Sequence, residues 1–216
     1  MGGRREVVTF SLDVEASGPT PGPWWMCSFG VCRTDDVQVG FTRRLKPLVV
    51  PGISRPDDPA ALDVVARGLP DLPPPAGDPA ARAAAVRAFF QRQGVDPTQA
   101  LRELRAWIAE QAGPARPMLV GSPITYDFMW LYWYWWYLLE EKPPFGFAGL
   151  DLRSYFMGAH GVGPQAASKQ AYRRAYPNDL PHTHDPLDDA REQGRLWADM
   201  VSGRRRRPPH DVESTS

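Results

Sequence analysis

A chain of 216 residues has room for one α/β domain with a sizeable core and not for two. Apolar residues make up 43% and charged residues 23%, which excludes an intrinsically disordered chain. Lys plus Arg balances Asp plus Glu at 25 each, which argues against a strongly basic nucleic-acid coat protein but not against a nuclease, whose active-site carboxylates cancel arginines in the count.

Taken in chain order, residues 6–14 (EVVTFSLDV) predict a strand, with Val7, Val8, Phe10, Leu12 and Val14 as β-formers. A Gly/Pro-rich turn follows, then strands over 26–33 and 37–45, and the short connections predict an antiparallel meander. The stretch 47–79 is rich in Pro, Asp and Gly, with a short helix at 58–67 and a surface loop across 68–78. Residues 78–93 predict a helix. Asp96 caps the next, with Pro97 at its first position and Leu101, Leu104, Trp107 and Ile108 on one face up to about residue 112. A buried strand at 117–122 leads into an aromatic-crowded helix at 125–141. Residues 150–155 read as a short strand or the start of a helix, 165–176 as a helix, and 188–201 as the last helix. Residues 1–202 make a single α/β domain with a mixed sheet, and the Arg-rich tail 203–216 is expected to be disordered.

Cys27 and Cys32 are too few for a structural zinc site, and their odd separation sets them on opposite faces of a strand, so no disulfide is expected. The N-terminus lacks the apolar core of a signal peptide. The longest apolar run, Phe128 to Leu139, is shorter than the roughly 20 residues that span a bilayer. The expectation is a reduced cytoplasmic protein with no membrane association.

Three segments carry chemistry. Asp13 and Glu15 stand two apart at the end of the first strand, so both carboxylates emerge on one face. Paired acids raise each other's pKa, and a hard divalent cation removes that conflict. The segment His184 to Ala190 (HDPLDDA) sets an imidazole just before a helix and a carboxylate, Asp189, in its first turn. Asp127 opens the aromatic helix. Each segment alone has a plain alternative: surface acids ending a strand, or acids complementing a helix macrodipole.

Together they resemble the DEDDh family of 3′–5′ exonucleases, which includes polymerase proofreading subunits, RNase T and oligoribonuclease. The family's DxE motif matches Asp13-Val14-Glu15, its mid-chain Asp matches Asp127, and its HxAxxDA motif matches His184 to Ala190 with Pro186 in place of Ala. The resemblance covers about residues 6–200 and implies a ribonuclease-H-like fold. It also implies two Mg²⁺ or Mn²⁺ ions held by Asp13, Glu15, Asp127 and Asp189, with His184 as general base. The expected substrate is the 3′ end of single-stranded RNA or DNA, released as nucleoside 5′-monophosphates. The alternatives are an inactive binding module of the same fold and a phosphodiesterase limited to very short oligonucleotides.

The turn after Glu15 makes Ala16 and Ser17 candidates to hold the terminal nucleotide, and Trp24 and Trp25 candidates to pack against its base. Pro186 is expected to stiffen the loop before the last helix, and Asp151 to be structural. Arg173 and Arg174 lie closer to the expected substrate path than Arg204 to Arg207. The aromatic helix 125–141 is expected to serve as core or as a homodimer interface.

Overall fold

The computed structural model describes residues 6–70, 72 and 78–203; part of the loop 68–78 and the tail from Arg204 lie outside the described residues. Five strands form one mixed sheet in the order β3-β2-β1-β4-β5. They are β1 (Val7–Ala16), β2 (Met26–Arg33), β3 (Gly40–Arg44), β4 (Arg116–Gly121) and β5 (Gly149–Asp151). The first three make the antiparallel meander, and β4 and β5 run parallel to β1. This is the ribonuclease-H-like order, with the expected third strand trimmed to its central residues.

Two helices cover one face of the sheet. On that side β1 sends Phe10, Leu12, Val14 and Ala16 into a core shared with α3 (Pro97–Ala112) and α4 (Ile124–Leu139). Trp130, Leu131, Tyr134 and Trp135 of α4 are fully buried there, and the Tyr134 hydroxyl accepts the Met26 N–H at 2.7 Å. The aromatic helix is therefore not apolar to equal effect on all sides. Trp136 and Tyr137 keep 43% and 44% of their surface exposed.

On the opposite face α7 (Pro186–Val201) lies against β1 and β2, flanked by α5 (Leu152–His160) and α6 (Lys169–Ala175), with Tyr172, Leu196 and Trp197 in their shared core. The helices α1 (Pro59–Arg67) and α2 (Pro79–Gln93) pack as a pair over Trp25 and Cys27. Four helices start alike. Asp58, Asp78, Asp96 and Asp185 each cap a helix with their side chain, and each is followed by a proline at the first helical position. Proline has no N–H to leave unpaired there, and the aspartate accepts one that would be. This corrects two expectations. Pro186 belongs to α7 rather than to the loop before it, and α7 begins two residues earlier than residue 188. Asp151 caps α5 by accepting from the Ser154 N–H at 2.8 Å, a structural role. No helix among the described residues is long and apolar enough to cross a membrane.

Candidate active site

Strand alternation brings Asp13 and Glu15 out on the face of β1 that α7 covers. Their partners across the sheet are small, Gly30 opposite Asp13 and Ser28 opposite Glu15. Gly30 is required by a close approach, since a Cβ there would sit 2.3 Å from the Pro186 carbonyl carbon. The first turn of α7 thus rests directly on the strand beside the acids and delivers Asp189, 2% exposed. Carboxylate oxygens of Asp13, Glu15 and Asp189 lie within 4.8 Å of one another.

Asp127 comes from the first turn of α4 and is 4% exposed. Its Oδ1 accepts the backbone N–H of Val14 at 3.0 Å, which fixes it on the strand between the two other acids. It stands outside the three-acid group, but the charges of Asp13 and Glu15 both act on it.

Burial and mutual repulsion make these acids reluctant to ionise. Burial, with the Asp189 charge behind it, pushes Asp13 up to about 7. Burial and the Asp13 charge push Glu15 up to about 9. Burial raises Asp127 well above the usual carboxylate range and raises Asp189 as well. Four acids kept this close, all offering hard oxygen donors, are a poor arrangement for a protein alone and a fitting one for divalent cations. The buried Oε1 of Gln193, whose Nε2 donates to Asp13 at 2.8 Å, has no hydrogen-bond partner among the described residues, which fits a site that takes a cation or its water.

The segment before α7 wraps Asp189. The Thr183 N–H donates to its Oδ1 at 2.9 Å, and His182 Nδ1 lies 3.0 Å from its Oδ2. A ring nitrogen of His184 lies within 4.8 Å of His182 and Asp189 as well, and its Nδ1 is 3.8 Å from Glu15 Oε1. His184 has φ +62°, a left-handed conformation that costs a non-glycine residue about 1–3 kcal/mol. Its carbonyl is pressed against the end of α1, where a Cβ on Gly68 would meet it at 2.0 Å. Spacing alone pairs His184 with Asp189, yet the imidazole touching Asp189 is that of His182.

No protein-family model matches the chain. It is 28% identical over 188 residues to the 3′–5′ DNA exonuclease Cap18 of Escherichia coli, covering 87% of this chain and 88% of that one. The nuclease domain of 3′hExo, a DEDDh family member solved with rAMP, superposes with a TM-score of 0.66 at 13% identity, over 94% of this chain and 96% of that one. Exonuclease I of E. coli, solved with a dT13 oligonucleotide, gives a TM-score of 0.57 at 12% identity, over 93% of this chain and 42% of that one. The chain is similar in sequence to a 3′–5′ DNA exonuclease and shares the fold of DEDDh nucleases.

Several residues of this site escaped the reading of the sequence. Glu192 and Gln193 follow Asp189 by three and four positions, so all three share one helical face; that periodicity was signal enough to find them. Glu192 is 4% exposed, accepts from Arg173 at 2.5 Å, and has its Oε2 3.2 Å from His182 Nδ1. Lys169, at the start of α6, lies 3.3 Å from His182 Nε2, a meeting that only the fold creates.

The expected substrate-binding set needs correction. Ala16 and Ser17 are buried, and Ser17 is spent on Trp25: its Oγ accepts the Trp25 N–H at 3.1 Å and its own N–H donates to the Trp25 carbonyl at 3.0 Å. Neither side chain is open to solvent. Trp25 is 2% exposed, with its indole edge-on to Phe90 and its Nε1 donating to Asp57 at 2.7 Å, so no ring face is left for a base. Trp24 alone of the four keeps open surface. Its ring lies over Gly18 and its Nε1 donates to the Pro56 carbonyl at 3.1 Å.

Proposed function

We propose that this exonuclease removes nucleoside 5′-monophosphates one at a time from the 3′ end of a single strand. In this reading Asp13, Glu15, Asp127 and Asp189 hold two Mg²⁺ or Mn²⁺ ions, and His184 is the general base. The observation that carries the reading is the convergence of Asp13, Glu15 and Asp189 within 4.8 Å, with Asp127 on the intervening backbone. Bound divalent ions would supply charge for the attacking and leaving oxygens of an in-line displacement.

The remaining work falls to the chain. Gln193 fixes the orientation of Asp13 by donating to it. His182 and the Thr183 N–H hold both oxygens of Asp189, leaving their outer lone pairs for a ligand. His184 directs Nδ1 toward Glu15, which leaves Nε2 to take the proton of the attacking water. The strained backbone at His184 belongs with that role, since the imidazole stands beside Glu15 and within reach of Asp189. DNA is the favoured substrate, because the 28% identical relative is named for it. A homodimer through α4 would be built on Trp136 and Tyr137, the aromatics that the core leaves exposed.

The test is a product ladder from 5′-labelled DNA and RNA strands of one sequence and several lengths, with Mg²⁺, with Mn²⁺ and with EDTA. Stepwise shortening of DNA that stops in EDTA is expected. Cleavage from the 5′ end, or cleavage that persists in EDTA, contradicts the reading. Turnover of only the shortest strands narrows it to an oligonucleotide phosphodiesterase.

A further inference from the structure

Resting on the exonuclease reading above, we propose that Lys169 is a substrate contact: its ammonium binds a phosphate of the nucleic-acid strand at the carboxylate site, and His182 holds it in place until the strand arrives.

The hydrogen bonds around His182 define what Lys169 is doing. His182 Nδ1 faces two carboxylate oxygens, Asp189 Oδ2 at 3.0 Å and Glu192 Oε2 at 3.2 Å, so Nδ1 carries the hydrogen. An ammonium can only donate, so Nε2, which faces Lys169, is the acceptor of the ring. Lys169 donates to that acceptor across 3.3 Å. Among the described residues no carboxylate lies within ion-pair distance of the ammonium. Its one partner is therefore a neutral nitrogen at the long end of hydrogen-bond range, which is easily exchanged.

Arg173, one helical turn further along α6, is built differently. It is locked onto buried Glu192 at 2.5 Å and helps position the His182 pair. Lys169 keeps an unspent charge on a flexible four-carbon stem, held through His182 beside Asp189 of the carboxylate site. A phosphodiester brings the next negative charge, and exchanging a neutral imidazole for a phosphate oxygen makes the hydrogen bond charge-assisted at both ends.

The experiment measures initial rates on a 5′-fluorescein-labelled oligothymidylate at saturating Mg²⁺ across a KCl series, for the full chain and its Lys169→Met and Lys169→Arg variants. Lys169→Met is expected to lower kcat/KM roughly tenfold. It should also flatten the log–log salt slope by about 0.7, the share of one phosphate contact on a single strand. Lys169→Arg keeps the charge and should restore the slope. If Lys169 were only a counter-charge for the acids, Lys169→Met would alter Mg²⁺ affinity and the melting temperature of the metal-free protein while the salt slope stayed at the wild-type value. That result, or an unchanged kcat/KM, overturns the proposal. A wild-type protein that leaves the strand intact overturns the exonuclease reading itself, and this inference with it.

Discussion

The two faces of β1 are both covered by helices, one fully and one in part, and are opposite in their energetics. On one side Phe10, Leu12, Val14 and Ala16 are at most 5% exposed and meet the buried aromatics of α4. Burial there stabilises the fold at about 25 cal/mol per Å² of apolar surface. On the other side the same strand sets Ser11, Asp13 and Glu15 beneath α7, whose facing residues are Asp189, Glu192 and Gln193. There burial costs stability, because it desolvates acids that also repel one another. The apolar face supports a polar face whose acids repel one another. One ten-residue strand serves both because side chains alternate with a period of two.

The sharpest break in this contrast comes from the apolar side. Trp130→Ala should cost roughly 3–5 kcal/mol in chemical denaturation while leaving dication affinity of the folded protein unchanged. A parallel loss of affinity would mean that the two faces are not separable. A smaller effect is expected at the contact between strand and α7. Gly30→Ala drives a Cβ into the Pro186 backbone, at a cost of about 1–3 kcal/mol. Because Asp189 rides on that turn, kcat/KM measured under conditions where the variant is fully folded should also fall. Full activity in the folded variant would show that the close approach serves packing alone.

Without metal, the polar face makes stability depend on pH in a defined direction. Asp13 moves from 3.8 to about 7 on folding and Glu15 from 4.5 to about 9, so between about pH 4 and pH 9 the folded chain holds protons that the unfolded chain has released. Stability is therefore greatest, as far as these groups go, below pH 4 and declines as pH rises through the folded values. The melting temperature of the EDTA-treated protein should drop from pH 5 to pH 8, more so than with Mg²⁺ present. Asp13→Asn should flatten the drop and raise the metal-free melting temperature at pH 8. A melting temperature that climbs with pH in EDTA would contradict the repulsion on which this rests. The smallest effect belongs to the exposed edge of α4: Trp136→Ala should change stability by less than about 1 kcal/mol. If light scattering finds twice the 24.1 kDa chain mass, the same substitution should weaken that dimer.

Much of this contrast is legible in the sequence because it is written in local periods. Alternation along β1 separates Leu12 and Val14 from Asp13 and Glu15, and the five-residue step from His184 to Asp189 marks the start of α7. The uniform apolarity of α4 carries no period, so its sequence could not say that Trp130 and Trp135 turn inward while Trp136 faces out. The fate of Trp25 depends on α1 and α2, which reach back from a Pro-rich stretch to bury it, a tertiary event with no local signature. The exchange of partners between His182 and His184 follows from a left-handed backbone at His184, which its residue type does not advertise. Pro186 was misjudged for a different reason, since the Asp-Pro start it shares with three other helices was there to be read.

The central claim is that the acids hold the ions and His184 moves a proton. Calorimetric titration of Mn²⁺ into the wild-type protein, Asp13→Asn and His184→Ala tests it most directly, with the rate on a single strand measured on the same samples. Asp13→Asn should lose ion binding and activity together. His184→Ala should bind Mn²⁺ as the wild type does while its rate falls by roughly 10²–10⁴, the range for a missing general base. If His184→Ala abolishes ion binding as fully as Asp13→Asn does, His184 is a ligand and the division of roles across this site is wrong.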